Sequence, residues 1–268
     1  MSDVTPTAAP PLRHETTAGN YFVANYPPFA FWKPEFVSQF EAALNRPPIK
    51  DHASRTRPLG QYVHIPFCRK RCHFCYFKVY TDKDSSEVRG YLDALLAELT
   101  VYAGKPAIGG RKPKFVYFGG GTPSYLSPDQ LKFLTDGMKC LLPWDEVEEV
   151  TFEAEPGTLT EKKLDAIRAL GVTRLSLGVE NFDDHILEIN GRAPRSGEIE
   201  KSDNHVRSIG FPQIHIDLIP AMLEETEENW KRNIRRTIEL APESVTIYQM
   251  EVPFNTTIYK RMKEEGRL

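Results

Sequence analysis

From about residue 61 the chain alternates short apolar runs with longer stretches whose apolar residues recur every three or four positions. The short runs fall at 61–66, 114–119, 149–154, 174–179, 213–219 and 244–250, and are rich in β-branched and aromatic residues. That composition predicts buried parallel strands. Between the first two, Val88, Leu92, Leu95, Leu96 and Leu99 follow helical spacing and predict one buried helix face. SPDQLKFLTDGMKCLL opens on a Ser-Pro suited to a helix N-terminus, and TEKKLDAIRALG closes on a C-capping glycine. In TEENWKRNIRRTIEL, Trp230, Ile234 and Ile238 fall on one side and are the expected inward face.

Strand and helix in regular alternation give the α/β class, a parallel sheet with right-handed crossovers and outer helices. Six units fall short of the eight that close a TIM barrel, so an open, partial barrel of TIM-like type is expected. Ligands of such folds sit beyond the carboxyl ends of the strands.

Residues 1–20 carry little periodic apolar content and read as a disordered leader. Residues 21–58 hold Tyr21, Phe22, Tyr26, Phe29, Phe31 and Trp32, expected to pack as a flap on the core, while residues 59–268 form the barrel itself. The sequence stops in what reads as the helix after the sixth strand, with a C-terminal accessory domain expected to be absent. With 268 residues, 40% hydrophobic, there is material for one large core. No stretch reaches the ~20 apolar residues of a membrane span, and no secretion signal opens the chain, so a cytoplasmic location is expected. A net charge of -3 without basic runs argues against nucleic acid and for a small-molecule substrate.

Three of the four cysteines, Cys68, Cys72 and Cys75, lie within eight residues, which suits metal rather than disulfides. Three thiolates on one short loop can hold three corners of an iron–sulfur cube and leave one iron open. The other use of such a loop is zinc, with His64 or His73 as fourth ligand, although no second Cys/His knuckle occurs in the chain. Cys140, on a helix with Leu134 and Leu141, is expected in the core.

The string YVHIPFCRKRCHFCYF resembles the signature of radical S-adenosylmethionine (SAM) enzymes, in the branch of oxygen-independent coproporphyrinogen III oxidase and its heme-chaperone relatives. FGGGTPSYL, TFEAEPGTL, RLSLGVENFDD and IDLI follow in the expected order, so the resemblance runs over about residues 60–255. It implies a 4Fe-4S cluster on Cys68, Cys72 and Cys75, and SAM as cofactor. It also implies an electron donor such as flavodoxin or ferredoxin. Gly120, Gly121 and Thr122, with Gly119, would hold the methionine amino group of SAM. Glu153, Glu180, Arg192 and Asp217 match cofactor-contacting positions, Arg192 as a fork for the methionine carboxylate. Carboxylates among apolar strand residues are costly without a partner, which independently marks Glu153 and Asp217. Tyr62 and Met250 match positions near the cofactor, and Phe74 would lie against the adenine or shield the cluster.

The resemblance implies reductive cleavage of SAM to a 5'-deoxyadenosyl radical that acts on an organic substrate. The branch also contains methyltransferases, heme-binding chaperones and the oxidative decarboxylase of coproporphyrinogen III. This chain departs from the oxidase where Tyr76 and Phe77 replace a further cysteine, where Glu180 stands for a usual Gln, and where LIPAML follows the fifth strand in place of a glycine-bearing turn. The missing cysteine points away from the porphyrinogen substrate, and the other two changes, near the expected cofactor and substrate, point to altered chemistry.

Overall fold

A computed structural model describes residues 32–53, 55–192, 196–254 and 256–266. Residues up to Glu41 form a unit separate from the rest. Its described part is a short turn at Pro34–Phe36 and the start of helix α1 (Val37–Leu44), with Trp32 60% exposed. The expected leader and the other aromatic residues of the flap, Tyr21 to Phe31, lie outside the described residues.

The main unit is a six-stranded, wholly parallel sheet in which the strands stand in chain order. Strands β1 (Leu59–Ile65), β2 (Pro113–Gly120), β3 (Glu149–Ala154), β4 (Arg174–Glu180), β5 (Gln213–Leu218) and β6 (Ser244–Ile247) fall on the six expected runs. β1 begins two residues early and stops at Pro66, which has no N–H to donate. β6 is shorter than its run, yet Tyr248 and Met250 still donate backbone hydrogen bonds to Leu218 O (2.8 Å) and Pro220 O (3.2 Å).

Helices α2 (Ser85–Ala103), α3 (Pro128–Leu141) and α4 (Glu161–Ala169) connect β1 through β4 in turn. α5 (Asp184–Ile189) and α6 (Ser196–Ser208) lie between β4 and β5, α7 (Glu227–Leu240) between β5 and β6, and α8 (Thr257–Glu264) follows β6. Local sequence fixes where they start. Asp84 with Glu87 and Ser127 with Gln130 form capping boxes at α2 and α3, and Thr160 and Thr226 cap α4 and α7. Gly171, just past α4, takes φ +96°, the left-handed conformation expected of a terminating glycine.

The core lies between helices and one face of the sheet. Val63, Ile65, Val116, Phe118, Val150, Phe152, Leu175, Leu177, Val179, Ile214, Ile216 and Leu218 alternate along their strands and are all buried. The intervening positions, including Tyr62, His64, Tyr117, Glu153, Ser176, His215 and Asp217, therefore point to the opposite face. Among the described residues no helix is long and apolar enough to cross a membrane.

Two expectations are corrected. Cys140 is exposed rather than in the core, because α3 turns Leu131, Leu134, Thr135 and Met138 inward and leaves position 140 outside. In α7 the buried positions are Asn229, Asn233 and Thr237, while Trp230 and Leu240 pack on the core, Ile234 is half-buried and Ile238 is 71% exposed. The asparagines are satisfied by a network. Asn181, following β4, donates to Glu225 Oε1 (2.7 Å) and to Asn229 Oδ1 (3.2 Å), Asn233 donates to the same two oxygens (3.2 and 3.1 Å), and Phe182 N–H donates to Asn233 Oδ1 (3.0 Å). Buried amides with every neighbour in place are tolerated, and removing one orphans the others. Asn233→Ala should therefore cost about 2 kcal/mol or more, whereas Ile238→Ala should stay within about 0.5 kcal/mol, both read from urea midpoints.

Candidate active site

Pro66 ends β1 and the chain enters the cysteine loop. The loop is clamped on three sides. Cys68 N–H donates to Tyr80 O (3.0 Å) and Tyr80 N–H to Pro66 O (2.8 Å), which pins its two ends together. His73 N–H donates to Asn190 O (2.9 Å), its Nδ1 meets Ile189 O (3.0 Å), and Ile258 N–H at the start of α8 donates to His73 O (3.2 Å). Arg71 donates twice to Cys75 O (2.9 and 3.2 Å). The approach to the α5 end requires Gly191, whose φ is +73° and where an added Cβ would lie 2.6 Å from the His73 ring. His73 is thus a structural clip, and His64 pairs its Nδ1 with the Tyr62 hydroxyl (2.9 Å).

The glycine turn ending β2 lies directly against the thiols. Gly121 N–H donates to Ile65 O (2.8 Å), and a Cβ on Gly121 would stand 2.9 Å from Cys68 Sγ. Thr122 Oγ1 donates to Cys68 Sγ (3.3 Å) and Arg192 Nη1 to Cys72 Sγ (3.7 Å), so a hydroxyl and a guanidinium face two of the three sulfurs. Among the described residues no three His, Cys, Asp or Glu side chains converge in the manner of a single-ion site. Ligands of a cube bond separate irons and stand farther apart, and the donors around these thiols suit anionic sulfur.

Beside the loop, the C-terminal halves of β3, β4 and β5 bring carboxylates together. Glu153 accepts from Tyr117 Oη (2.6 Å) and from the Gly120 backbone N–H. Asp217 accepts from Ser176 Oγ (2.6 Å) and meets His215 Nε2 at 3.3 Å. Glu180, at a register shift against β5, takes φ +66°, an unfavourable region for a non-glycine residue, and stands 3.4 Å from Arg192. Arg192 also donates to Gly178 O (2.6 Å), while its Nε has no partner among the described residues. Tyr62 stacks on Tyr117 at 6.0 Å between centroids, and Phe74 and Met250 are half-buried.

A profile described as Radical SAM superfamily matches residues 62–237, about two thirds of the sequence. The chain belongs to that family. It is 36% identical over 211 residues to a Bacillus subtilis protein named heme chaperone HemW, a match over 77% of this chain and 54% of the relative. It is 34% identical over 192 residues to Escherichia coli oxygen-independent coproporphyrinogen III oxidase, over 72% of this chain and 42% of the relative. The solved structure of Escherichia coli coproporphyrinogen III oxidase (HemN), described as a radical SAM enzyme, aligns with a TM-score of 0.78 and 30% identity, covering 90% of this chain and 54% of that one. The chain spans about half the length of these relatives.

The electrostatics of the candidate site in this radical SAM family member are those of a crowd of acids. Burial pushes Glu153 up to about 7, with Asp217 adding to it while Tyr117 and Gly120 oppose. Burial likewise raises Glu180 to about 7 against the pull of Arg192, with Asp217, Glu153 and Glu155 contributing. Burial works against the charge on Arg192, but Glu180, Cys72 and Glu155 outweigh it and hold the proton firmly. Burial also pushes the metal-free Cys68 thiol to about 11 and raises Cys75, and Cys72 and Cys75 act on Cys68, so the three feel one another's charge.

Thus the structure brings Tyr62, Gly120, Gly121, Thr122, Glu153, Glu180, Arg192 and Asp217 to the same end of the sheet as the cysteines. Tyr117, Ser176, His215, Asn181 and Gly191 were not singled out from the sequence. The first three occupy the polar alternate positions of strands read only as apolar runs, and a period-two count would have found them.

A group whose folded value exceeds its ordinary 4.5 favours the folded state when protonated, and that contribution fades as pH rises through about 7. The metal-free protein should therefore lose melting temperature between about pH 5 and pH 8, and Glu180→Gln should flatten that decline; an unchanged slope in the variant would contradict the assignment.

Proposed function

We propose that this chain is the catalytic core of an enzyme that reductively cleaves SAM, with a 4Fe-4S cluster held by Cys68, Cys72 and Cys75. The observation that carries it is the three-cysteine loop lying directly on the glycine turn after β2, where Gly121 leaves no room for a side chain beside Cys68. When bound, the cluster and SAM supply one-electron cleavage to methionine and a 5'-deoxyadenosyl radical, which takes hydrogen from the substrate. The protein's own part is to bind and orient.

Gly119 to Thr122 offer backbone groups, and Glu153 presents an acceptor beside the same turn, suited to a primary ammonium. Arg192 has its Nε, without a partner among the described residues, left for a carboxylate. Its remaining donors face Glu180, Gly178 O and Cys72, so Glu180 competes with the cofactor for the guanidinium. Tyr62, Phe74 and Met250 border the space left for the adenosyl moiety, and Asp217 supplies a fixed acceptor. Substrate class follows the relatives, a tetrapyrrole or another organic molecule presented to the open face of the sheet, with methyl transfer a further use of the same radical. An electron carrier such as flavodoxin or ferredoxin serves as partner.

Heme transfer is the second reading, supported by the 36% identity to a protein named as a heme chaperone. Anaerobically reconstituted and reduced, the protein should release 5'-deoxyadenosine from SAM, and Cys72→Ser should abolish it. A fully loaded cluster that gives none, with coproporphyrinogen III or other candidate substrates present, would sink the enzymatic reading. Stoichiometric heme binding in the same sample would then favour transfer.

A further inference from the structure

The face of the sheet opposite the apolar core carries a connected polar line that ends on Asp217. It begins at Glu149, which accepts from Thr151 Oγ1 (2.6 Å) and twice from Arg174, Nε to Oε1 (3.1 Å) and Nη2 to Oε2 (2.9 Å). That bidentate pair fixes the guanidinium plane. The third nitrogen, Arg174 Nη1, reaches Ser244 Oγ on β6 at 2.9 Å. Ser244 Oγ in turn lies 2.6 Å from His215 Nδ1, and His215 Nε2 lies 2.8 Å from Thr246 Oγ1 and 3.3 Å from Asp217 Oδ1. His215 is largely buried, its side chain 13% exposed.

Donor and acceptor roles along this line follow from chemistry. Arginine can only donate, so Ser244 Oγ accepts from Arg174, and an ionised carboxylate can only accept, so the Asp217 contact calls for a hydrogen on Nε2; in the neutral ring the Ser244 proton then turns toward Nδ1. Nδ1 is then the acceptor nitrogen of the imidazole and Nε2 carries the hydrogen. That hydrogen faces Asp217 Oδ1 and Thr246 Oγ1, and Thr246 passes its own hydrogen bond on to Tyr248. The other carboxylate oxygen of Asp217 is held by Ser176 Oγ (2.6 Å). Asp217 is therefore gripped at both oxygens, from β4 by serine and from its own strand by a histidine whose tautomer is set two residues away.

We propose that His215 is a positioning residue: held between Ser244 and Asp217 in the tautomer protonated at Nε2, it orients the Asp217 carboxylate toward bound SAM. The role of Asp217 rests on the function proposed above, whereas the tautomer stands on the geometry alone. The tautomer is tested without cofactor by nitrogen-15 NMR of the histidine rings of the full chain, with the His215 signals assigned by their loss in His215→Gln. An unprotonated Nδ1 and a protonated Nε2 are expected, and a proton on Nδ1 overturns the wiring.

The positioning role is tested in cluster-loaded protein by SAM binding in equilibrium dialysis, alongside melting temperatures. His215→Leu should weaken binding about tenfold, the order expected for a lost hydrogen bond to a charged group. His215→Gln carries an amide N–H to the place of Nε2 and should recover most of that loss, whereas His215→Asn reaches only the place of Nδ1 and should not. A residue that merely fills space would not distinguish Gln from Asn, so equal affinities in those two variants overturn the proposal even if His215→Leu fails to fold. Wild-type holoprotein that binds no SAM overturns the proposed function and the positioning role together, and leaves the tautomer to be judged separately.

Discussion

The structure depends on a parallel sheet clothed by helices on one face only. Along every inner strand, alternate residues are apolar and vanish beneath helices, as Val150, Phe152 and Ala154 do on β3. The residues between them have no choice of direction. Five strands therefore deliver Tyr62, Tyr117, Glu153, Ser176, His215 and Asp217 to one side. The burial that stabilises the fold and the gathering of polar groups that makes the site are two sides of one period-two pattern.

That gathering has an electrostatic consequence. Glu153, Glu180 and Asp217 act on one another in a place largely cut off from water, and Arg192 is the cation set among them beside three thiols. Without a ligand, Glu153 and Glu180 are pushed by burial to about 7. A cofactor bearing an ammonium and a sulfonium supplies positive charge where the protein has little. The left-handed backbone at Glu180 shows that the local chain is held against its preference, and the Asn181–Glu225–Asn229–Asn233 network follows it immediately in the turn after β4.

The same network explains why α7 is turned by about one residue from the expected face. Helical spacing of Trp230, Ile234 and Ile238 is a sound signal only when the surface beneath is apolar. Here the surface beneath is the polar turn after β4, where Asn181, Phe182 and Asp183 expose backbone and side-chain groups that need partners. Satisfying those groups outweighed burying Ile238, because unpaired amides inside a protein cost more than exposed methyl groups.

The sequence by itself determined the six strands, most helix starts and the gathering of three thiols on one short loop. Each is a local property: runs of β-branched residues, caps three residues from their partners, thiols within one turn of chain. Tertiary structure decided which cysteine was core, which side of α7 faced inward, and that Gly191, 116 residues from Cys75 by subtraction of their numbers, must be a glycine to admit His73. It also decided that Glu180 meets Arg192 and that His215 meets Ser244. Those pairings join strands and loops far apart in the chain, and no periodicity encodes a hydrogen bond whose two ends are brought together only when the sheet closes its register.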